Sequence, residues 1–134
     1  MIEYVTSLDG IDRDDLQGFF VDWPRPPSPE THLALLRASE RSVLARDSES
    51  GRVVGFVTAV GDGVLCAYIP LLEVLPEHQG RGVGTELVRR LLAQLEDRYM
   101  IDLACDEDLV PFYERFGMRR STGMGLRRPD AIPS

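Results

Sequence analysis

Residues 73–90 read "EVLPEHQGRGVGTELVRR", and this stretch decides the fold. Its first residues close an apolar run, "VLCAYIPLLEVL" (64–75), of the kind a strand carries. Its last residues begin a stripe of Val83, Leu87, Val88, Leu91, Leu92 and Leu95, spaced as one face of a helix that runs to about Arg98. Between them stand Gly80, Gly82 and Gly84, so a strand hands over to a helix through a turn bare of side chains. A helix N-terminus leaves up to four main-chain N–H groups unpaired and carries about half a positive charge, so such a turn can hold phosphate. It can equally be a tight turn that uses glycine for its positive φ.

Upstream, "SVLAR" (42–46), a turn at "DSESGR", "VVGFVTAV" (53–60), a Gly61-Asp62-Gly63 turn and the 64–75 run predict a three-stranded antiparallel meander. "IEYVT" (2–6) alternates as an edge strand, and Ile11, Leu16, Phe19 and Phe20 fall at helical intervals behind an Asp-rich start. "WPRPPSPE" (23–30) is too rich in proline for regular structure, but Ser28 can cap and Pro29 can open a second helix, "ETHLALLRASE".

Downstream, "YMIDLAC" (99–105) reads as a buried strand reached by a parallel crossover. Asp106 or Asp108 can cap a short helix with Pro111 in its first turn and an end at Gly117. "GMRRSTGMGLRR" (117–128) can supply a closing hairpin before a frayed tail, 129–134. The expectation is one domain, 1–134, of the α/β (α+β) class. Its order is β-α-α-β-β-β-α-β-α-β-β, a mixed, mostly antiparallel sheet of six to seven strands flanked by helices.

Composition narrows the function. A formal charge of −7 argues against a general nucleic-acid binder, which needs a positive face. No run approaches the roughly 18 apolar residues of a membrane span, and "MIEYVTSLDG" lacks the pattern of a signal peptide, so a cytoplasmic protein is expected. All fifteen basic residues are Arg and Lys is absent, which we read as GC-rich coding. Cys66 and Cys105 form no CxxC, and no histidine pair accompanies them; no metal site is indicated, and plain packing is the default reading. His32 and His78 are expected at the surface.

A P-loop needs Lys-Ser/Thr after its second glycine, and this chain has no lysine. A dinucleotide-binding turn needs a third glycine that "GRGVGT" lacks, and an early place in a βαβ unit. A third reading is a resemblance. "VLPEHQGRGVG" resembles the acyl-CoA-binding motif Q/R-x-x-G-x-G/A of the GCN5-related N-acetyltransferases, with Gln79, Gly82 and Gly84 at its fixed positions. "DLVPFYERFGM" is similar to that family's second signature, with Tyr113, Gly117 and Met118 matching. The element order is the family's order too, so the resemblance covers nearly the whole chain and implies the acyl-CoA N-acyltransferase fold.

The resemblance implies transfer of an acetyl group from acetyl-CoA to a small-molecule amine or peptide by direct attack, in a monomer or homodimer. Leu72, Glu73, Val74 and Leu75 would line the pantetheine arm, and one N–H there would stabilise the oxyanion. Gln79, Gly80, Arg81, Gly82, Val83, Gly84 and Thr85 would hold the pyrophosphate, with Phe112 beside them. Tyr113 matches the tyrosine that protonates the leaving thiolate; otherwise it is a core aromatic. Asp106 stands where the family often has a cofactor-contacting Asn, or it is a helix cap.

The family's usual base positions hold Pro70 and Tyr68, and neither is a base. Glu73 is the one carboxylate of "YIPLLEVL" and becomes the candidate base. Strict alternation puts it on the face opposite Tyr68, Pro70 and Leu72 unless a bulge shifts the register; failing that, water carries the proton. The acceptor pocket is expected at Asp22, Trp23 and Tyr68, though Trp23 can equally be a lid over the core. A non-catalytic acyl-CoA sensor on the same fold and a nucleotide-binding oxidoreductase subunit are the competing functions.

Overall fold

The arrangement is built around one long strand, β3 (Val53–Gly61), whose first seven residues are all buried in the computed structural model that describes residues 1–133. Both faces of β3 are covered, which is why "VVGFVTAV" carries apolar residues without alternation. β2 (Arg41–Asp47) pairs antiparallel with it on one side, and β1 (Ile2–Val5) pairs antiparallel with β2. On its other side β3 takes two short strands in succession, β4 (Cys66–Tyr68) and β5 (Leu72–Val74). β6 (Met100–Asp102) lies parallel to β4 and ends the six-stranded sheet.

Helix α1 (Pro29–Ala38) starts as expected, with Ser28 accepting from the Thr31 N–H and Pro29 in the first turn. Helix α2 (Val83–Ala93) buries Val83, Leu87, Val88 and Leu91 against β2 and β3. Helix α3 (Val110–Glu114) is short and follows a 3-10 turn, Glu107–Leu109. The core gathers Phe19, Phe20, Leu36, Val43, Phe56, Val57, Leu75, Leu87, Leu91 and their neighbours into one cluster.

Five local expectations are corrected. The first helix is absent: 11–20 forms only a 3-10 turn at Arg13–Asp15, closed by a capping box between Asp12 and Asp15. Asp side chains here bond to the main chain in competition with a helix, and Phe20 (φ 64°) and Asp22 (φ 67°) lie in the left-handed region that a helix excludes. The apolar spacing of Ile11, Leu16, Phe19 and Phe20 reported burial, not helicity.

The 64–75 run is two strands rather than one, because Ile69, Pro70 and Leu71 stand against only Thr58 and Ala59 of β3. "YMIDLAC" yields a three-residue edge strand whose Met100 and Asp102 are exposed. The closing hairpin does not form: 119–128 is exposed and outside any strand. In the expected tail, Pro129–Ala131 makes a 3-10 turn, and Ser134 lies outside the described residues.

Candidate active site

The bulge at 69–71 opens the site. The last main-chain bond between the β4 and β6 segments runs from the Ile69 N–H to the Asp102 carbonyl, 2.9 Å. Pro70, whose place in the alternation faces β3, has no N–H to give that strand. β5 follows β3 instead, and β6 has ended, so 71–75 and 103–106 run on without pairing to each other.

Parity then fixes which groups face the gap. The Leu75 N–H bonds to the Val54 carbonyl (2.8 Å) and the Thr58 N–H to the Leu71 carbonyl (3.1 Å). The alternation of an antiparallel ladder therefore turns the main-chain groups of Glu73 toward β3 and the N–H groups of Leu72 and Val74 toward the gap. Gln79 donates its Nε2 to the Val74 carbonyl at 3.0 Å, which ties the glycine turn to β5. Leu75, expected along the pantetheine arm, turns inward instead: it is buried in the core with its N–H used by β3.

The glycine turn meets this gap at the start of α2. Gly80 (φ 78°) and Gly82 (φ 82°) are both left-handed, so the tight-turn demand is real; a Cβ at either would also meet nothing within 4 Å. The first helical bond runs from the Glu86 N–H to the Gly82 carbonyl, leaving the N–H groups of Val83, Gly84 and Thr85 without a partner among the described residues. A Cβ at residue 84 would lie 3.8 Å from both Val74 Cγ2 and Phe112 Cζ, so β5, α2 and α3 converge on Gly84.

Sequence reading missed Arg115. It donates to Thr85 Oγ1 at 2.9 Å, and its guanidinium sits 5.2 Å from the Phe112 ring centre. A cation is thereby added beside the unpaired amides. The available signal was its place two residues after Tyr113, at the end of the helix that closes over the turn.

On the opposite face of the sheet, the bulge settles the question of Glu73. Glu73 pairs with Phe56 and Tyr68 with Val60, and Phe56, Thr58 and Val60 alternate onto one face of β3. Glu73 and Tyr68 therefore share a face. Glu73 Oε1 accepts from the Phe20 N–H at 2.8 Å, while Oε2 is buried with no partner. Burial raises its pKa, partly offset by the Phe20 N–H. The carboxylate thus holds the left-handed Phe20–Asp22 loop and keeps one oxygen unused.

His32, expected at the surface, is 1% exposed, wedged against Phe19, Phe20 and Phe56 with both ring nitrogens unpartnered. Burial lowers its pKa to about 4, so it is neutral at physiological pH. Trp23 packs its ring edge-on to Phe20 at 5.0 Å and is 38% exposed. With Asp22, Arg127 and Arg128 it lines a cavity of about 340 Å³. Tyr68 is partly exposed and lines neither this cavity nor a smaller one of about 210 Å³ between α1 and the bulge.

Tyr113 is 8% exposed, and burial, with Cys105 nearby, pushes its pKa up to about 12. Its ring packs against Phe112 at 4.9 Å. Asp106 stands at the cap position of the turn before α3 but makes no capping bond through its side chain.

The separated strands, the left-handed glycine turn with its unpaired amides and the tyrosine-bearing helix α3 meet at Gly84. The model of the acetyltransferase (GNAT) family matches residues 8–118, and the chain belongs to that family. It is similar to GCN5-related N-acetyltransferase 2, chloroplastic, of Arabidopsis thaliana, 33% identical over 86% of this chain and 53% of that protein. It is also similar to serotonin N-acetyltransferase 2, chloroplastic, of Oryza sativa subsp. japonica, 31% identical over 94% of this chain and 62% of that one.

The chain therefore spans about half to three fifths of the length of these curated relatives. A crystal structure from Deinococcus radiodurans R1, itself only assigned as an acetyltransferase, superposes with a TM-score of 0.94. It is 49% identical, and the match covers 99% of this chain and 94% of that one. Among the described residues no helix is long and apolar enough to cross a membrane.

Proposed function

We propose that this chain is an acyl-CoA-dependent N-acetyltransferase that moves an acetyl group from acetyl-CoA to a primary amine by direct attack, as one unit over the whole length. One observation carries the reading. The unpaired amides of 83–85 and the gap-facing N–H groups of Leu72 and Val74 lie on either side of the junction at Gly84, where a diphosphate and its pantetheine arm need donors.

In the reaction the amine nitrogen bonds to the thioester carbon, the C–S bond breaks, and the nitrogen loses a proton. The N–H of Leu72 or Val74 stabilises the oxyanion, a contribution worth roughly 3–4 kcal/mol when well aimed. An aliphatic ammonium near pKa 10.4 lies roughly 4–5 kcal/mol from its reactive form at pH 7, so a base is needed. Glu73 supplies it: burial raises its pKa, and Oε2 has no partner within the chain.

Tyr113 keeps its proton, because burial makes it a weaker acid than a free phenol. It therefore acts by hydrogen-bonding the departing sulfur rather than by giving up a proton beforehand. Asp22 and Trp23 receive the amine, an ammonium suiting a carboxylate and a ring face. We place the protein in the cytosol, where its free Cys66 and Cys105 stay reduced.

The test is an acceptor screen that reads free thiol over polyamines, aminoglycosides, amino acids and peptide N-termini, run with wild type and Tyr113→Phe. The expected result is turnover with at least one amine, lowered about ten- to a hundredfold in kcat by Tyr113→Phe with acetyl-CoA affinity little changed. Tight acetyl-CoA binding without thiol release for any amine would make the protein an acyl-CoA sensor.

A further inference from the structure

The cavity beside Trp23 brings opposite charges together without pairing them. Asp22 lines it from one side, Arg127 and Arg128 from the other, and Trp23 and Ile132 supply apolar surface between. Among the described residues, none of these three charged side chains takes part in a salt bridge. At about 340 Å³ the space lies at the small end of ligand cavities.

Both walls are fixed by bonds that do not use these charges. On one side the Phe20 N–H is held by Glu73 at 2.8 Å and the Trp23 N–H returns to the Phe20 carbonyl at 3.3 Å. Phe20 (φ 64°) and Asp22 (φ 67°) are thereby kept left-handed, a conformation that costs a non-glycine residue energy and is found where a side chain must be aimed. On the other side the Ala131 N–H bonds to the Arg128 carbonyl at 2.9 Å, and Arg25 donates to the Asp130 carbonyl at 3.2 Å. The 3-10 turn Pro129–Ala131 thus carries the two arginines up to the Trp23 loop.

The chemistry of such a cavity is dipolar. A carboxylate and a ring face receive an ammonium. Two guanidinium groups receive an oxyanion, which they can match with paired N–H donors. A purely cationic acceptor, such as a polyamine or an aminoglycoside, meets Arg127 and Arg128 as like charges.

We propose that the acceptor is a small amine bearing its own oxyanion, a carboxylate or a phosphate, with Arg127 and Arg128 holding the anion and Asp22 the ammonium. This inference rests on the acetyltransferase reading above and names its substrate class. The oxyanion takes no part in bond making. The nitrogen gives up a proton, bonds to the acetyl carbon as the C–S bond breaks, and the thiol leaves. The product amide is neutral at nitrogen, so its hold on Asp22 is lost while the anion keeps its arginines.

The test measures kcat/KM by thiol release for matched pairs: amino acids against their amides, and O-phosphoethanolamine against ethanolamine. Wild type is compared with Arg127→Gln/Arg128→Gln, and with Arg119→Gln, an arginine outside the cavity. Comparing the ratio within each pair across variants cancels the different basicities of the amines. Wild type is expected to favour the anionic member, the double variant to lower that ratio about tenfold, and Arg119→Gln to keep it. Whichever anionic member is favoured identifies the group as carboxylate or phosphate. Both arginines are exposed, so the variants are expected to fold, which circular dichroism checks. Arg127→Glu/Arg128→Glu should reverse the preference.

Calorimetric binding of the same pairs is the second readout. Thiol release with no preference for the anionic member, or with a preference that the double variant leaves intact, overturns this inference and leaves acetyl transfer standing. Binding of an anionic member that the double variant loses, without thiol release from any amine, upholds the anion site and overturns the acetyltransferase reading. Neither binding nor turnover of any anionic member overturns the site.

Discussion

Replacing Glu73 by Gln and by Ala separates the two duties that the structure gives one carboxylate. Oε1 holds the Phe20 N–H at 2.8 Å, and Oε2 is the buried oxygen left for a proton. Glu73→Gln keeps an acceptor for Phe20 but removes the base, so kcat is expected to fall by about 10²–10⁴, the usual range for such a group. The charged-acceptor bond becomes a neutral one, a loss of roughly 0.5–1.5 kcal/mol, so Tm falls only a few degrees.

Glu73→Ala removes both functions. The Phe20 N–H loses an ionised partner, at about 1.5–3 kcal/mol, and nothing then opposes relaxation of the left-handed Phe20 and Asp22. Thermal melting should drop by roughly 5–10 °C, and KM for the amine should rise as the Trp23 loop shifts. The assay is thiol release against pH, with melts in parallel.

The sign follows from the raised pKa of Glu73. The base is active only when ionised, so wild-type kcat falls on the acid side at a pH above the ordinary carboxylate range. Glu73→Gln should erase that limb. A Glu73→Gln enzyme with near-normal kcat and the same acid limb would remove Glu73 from the chemistry. A Glu73→Ala protein with unchanged Tm would refute the anchoring.

At Gly84, Ala fits, because its Cβ would make ordinary 3.8 Å contacts with Val74 and Phe112, so acetyl-CoA binding measured by calorimetry should survive. Gly84→Asp should instead abolish binding while keeping or slightly raising Tm, since a carboxylate suits a helix N-terminus and repels phosphate. Arg115→Ala should weaken acetyl-CoA about three- to tenfold, with the difference fading in salt, as expected of an exposed cation; equal loss at all salt concentrations would contradict an electrostatic role. His32→Leu should flatten the acid side of the stability curve. With its folded pKa lowered to about 4, the buried neutral ring stabilises the fold fully above about pH 6.5, and this stability is lost as pH falls toward 4, up to about 3 kcal/mol in urea melts. The same slope in the variant would place the acid sensitivity elsewhere.

The sequence by itself determined the elements whose signals are local. Ser28-Pro29 opens α1, the 3.6-residue stripe from Val83 to Leu91 makes α2, and Gln79, Gly82 and Gly84 mark the turn, because caps, helical faces and positive φ depend on near neighbours alone. Tyr113 was legible for the same reason, as part of a short motif on one helix.

Only the tertiary structure decided what depends on pairing between distant strands and loops. Phe19 and Phe20 are apolar at helical spacing, yet tertiary burial and Asp-mediated capping turned their segment into a left-handed loop. The face of Glu73 hung on one extra residue at Ile69–Leu71, which period-two reading assigns to the wrong side because a single-residue slip inverts every side chain beyond it. His32 and Arg115 were placed by partners 24 and 30 residues away, Phe56 and Thr85, a separation across which sequence pattern carries no geometric information.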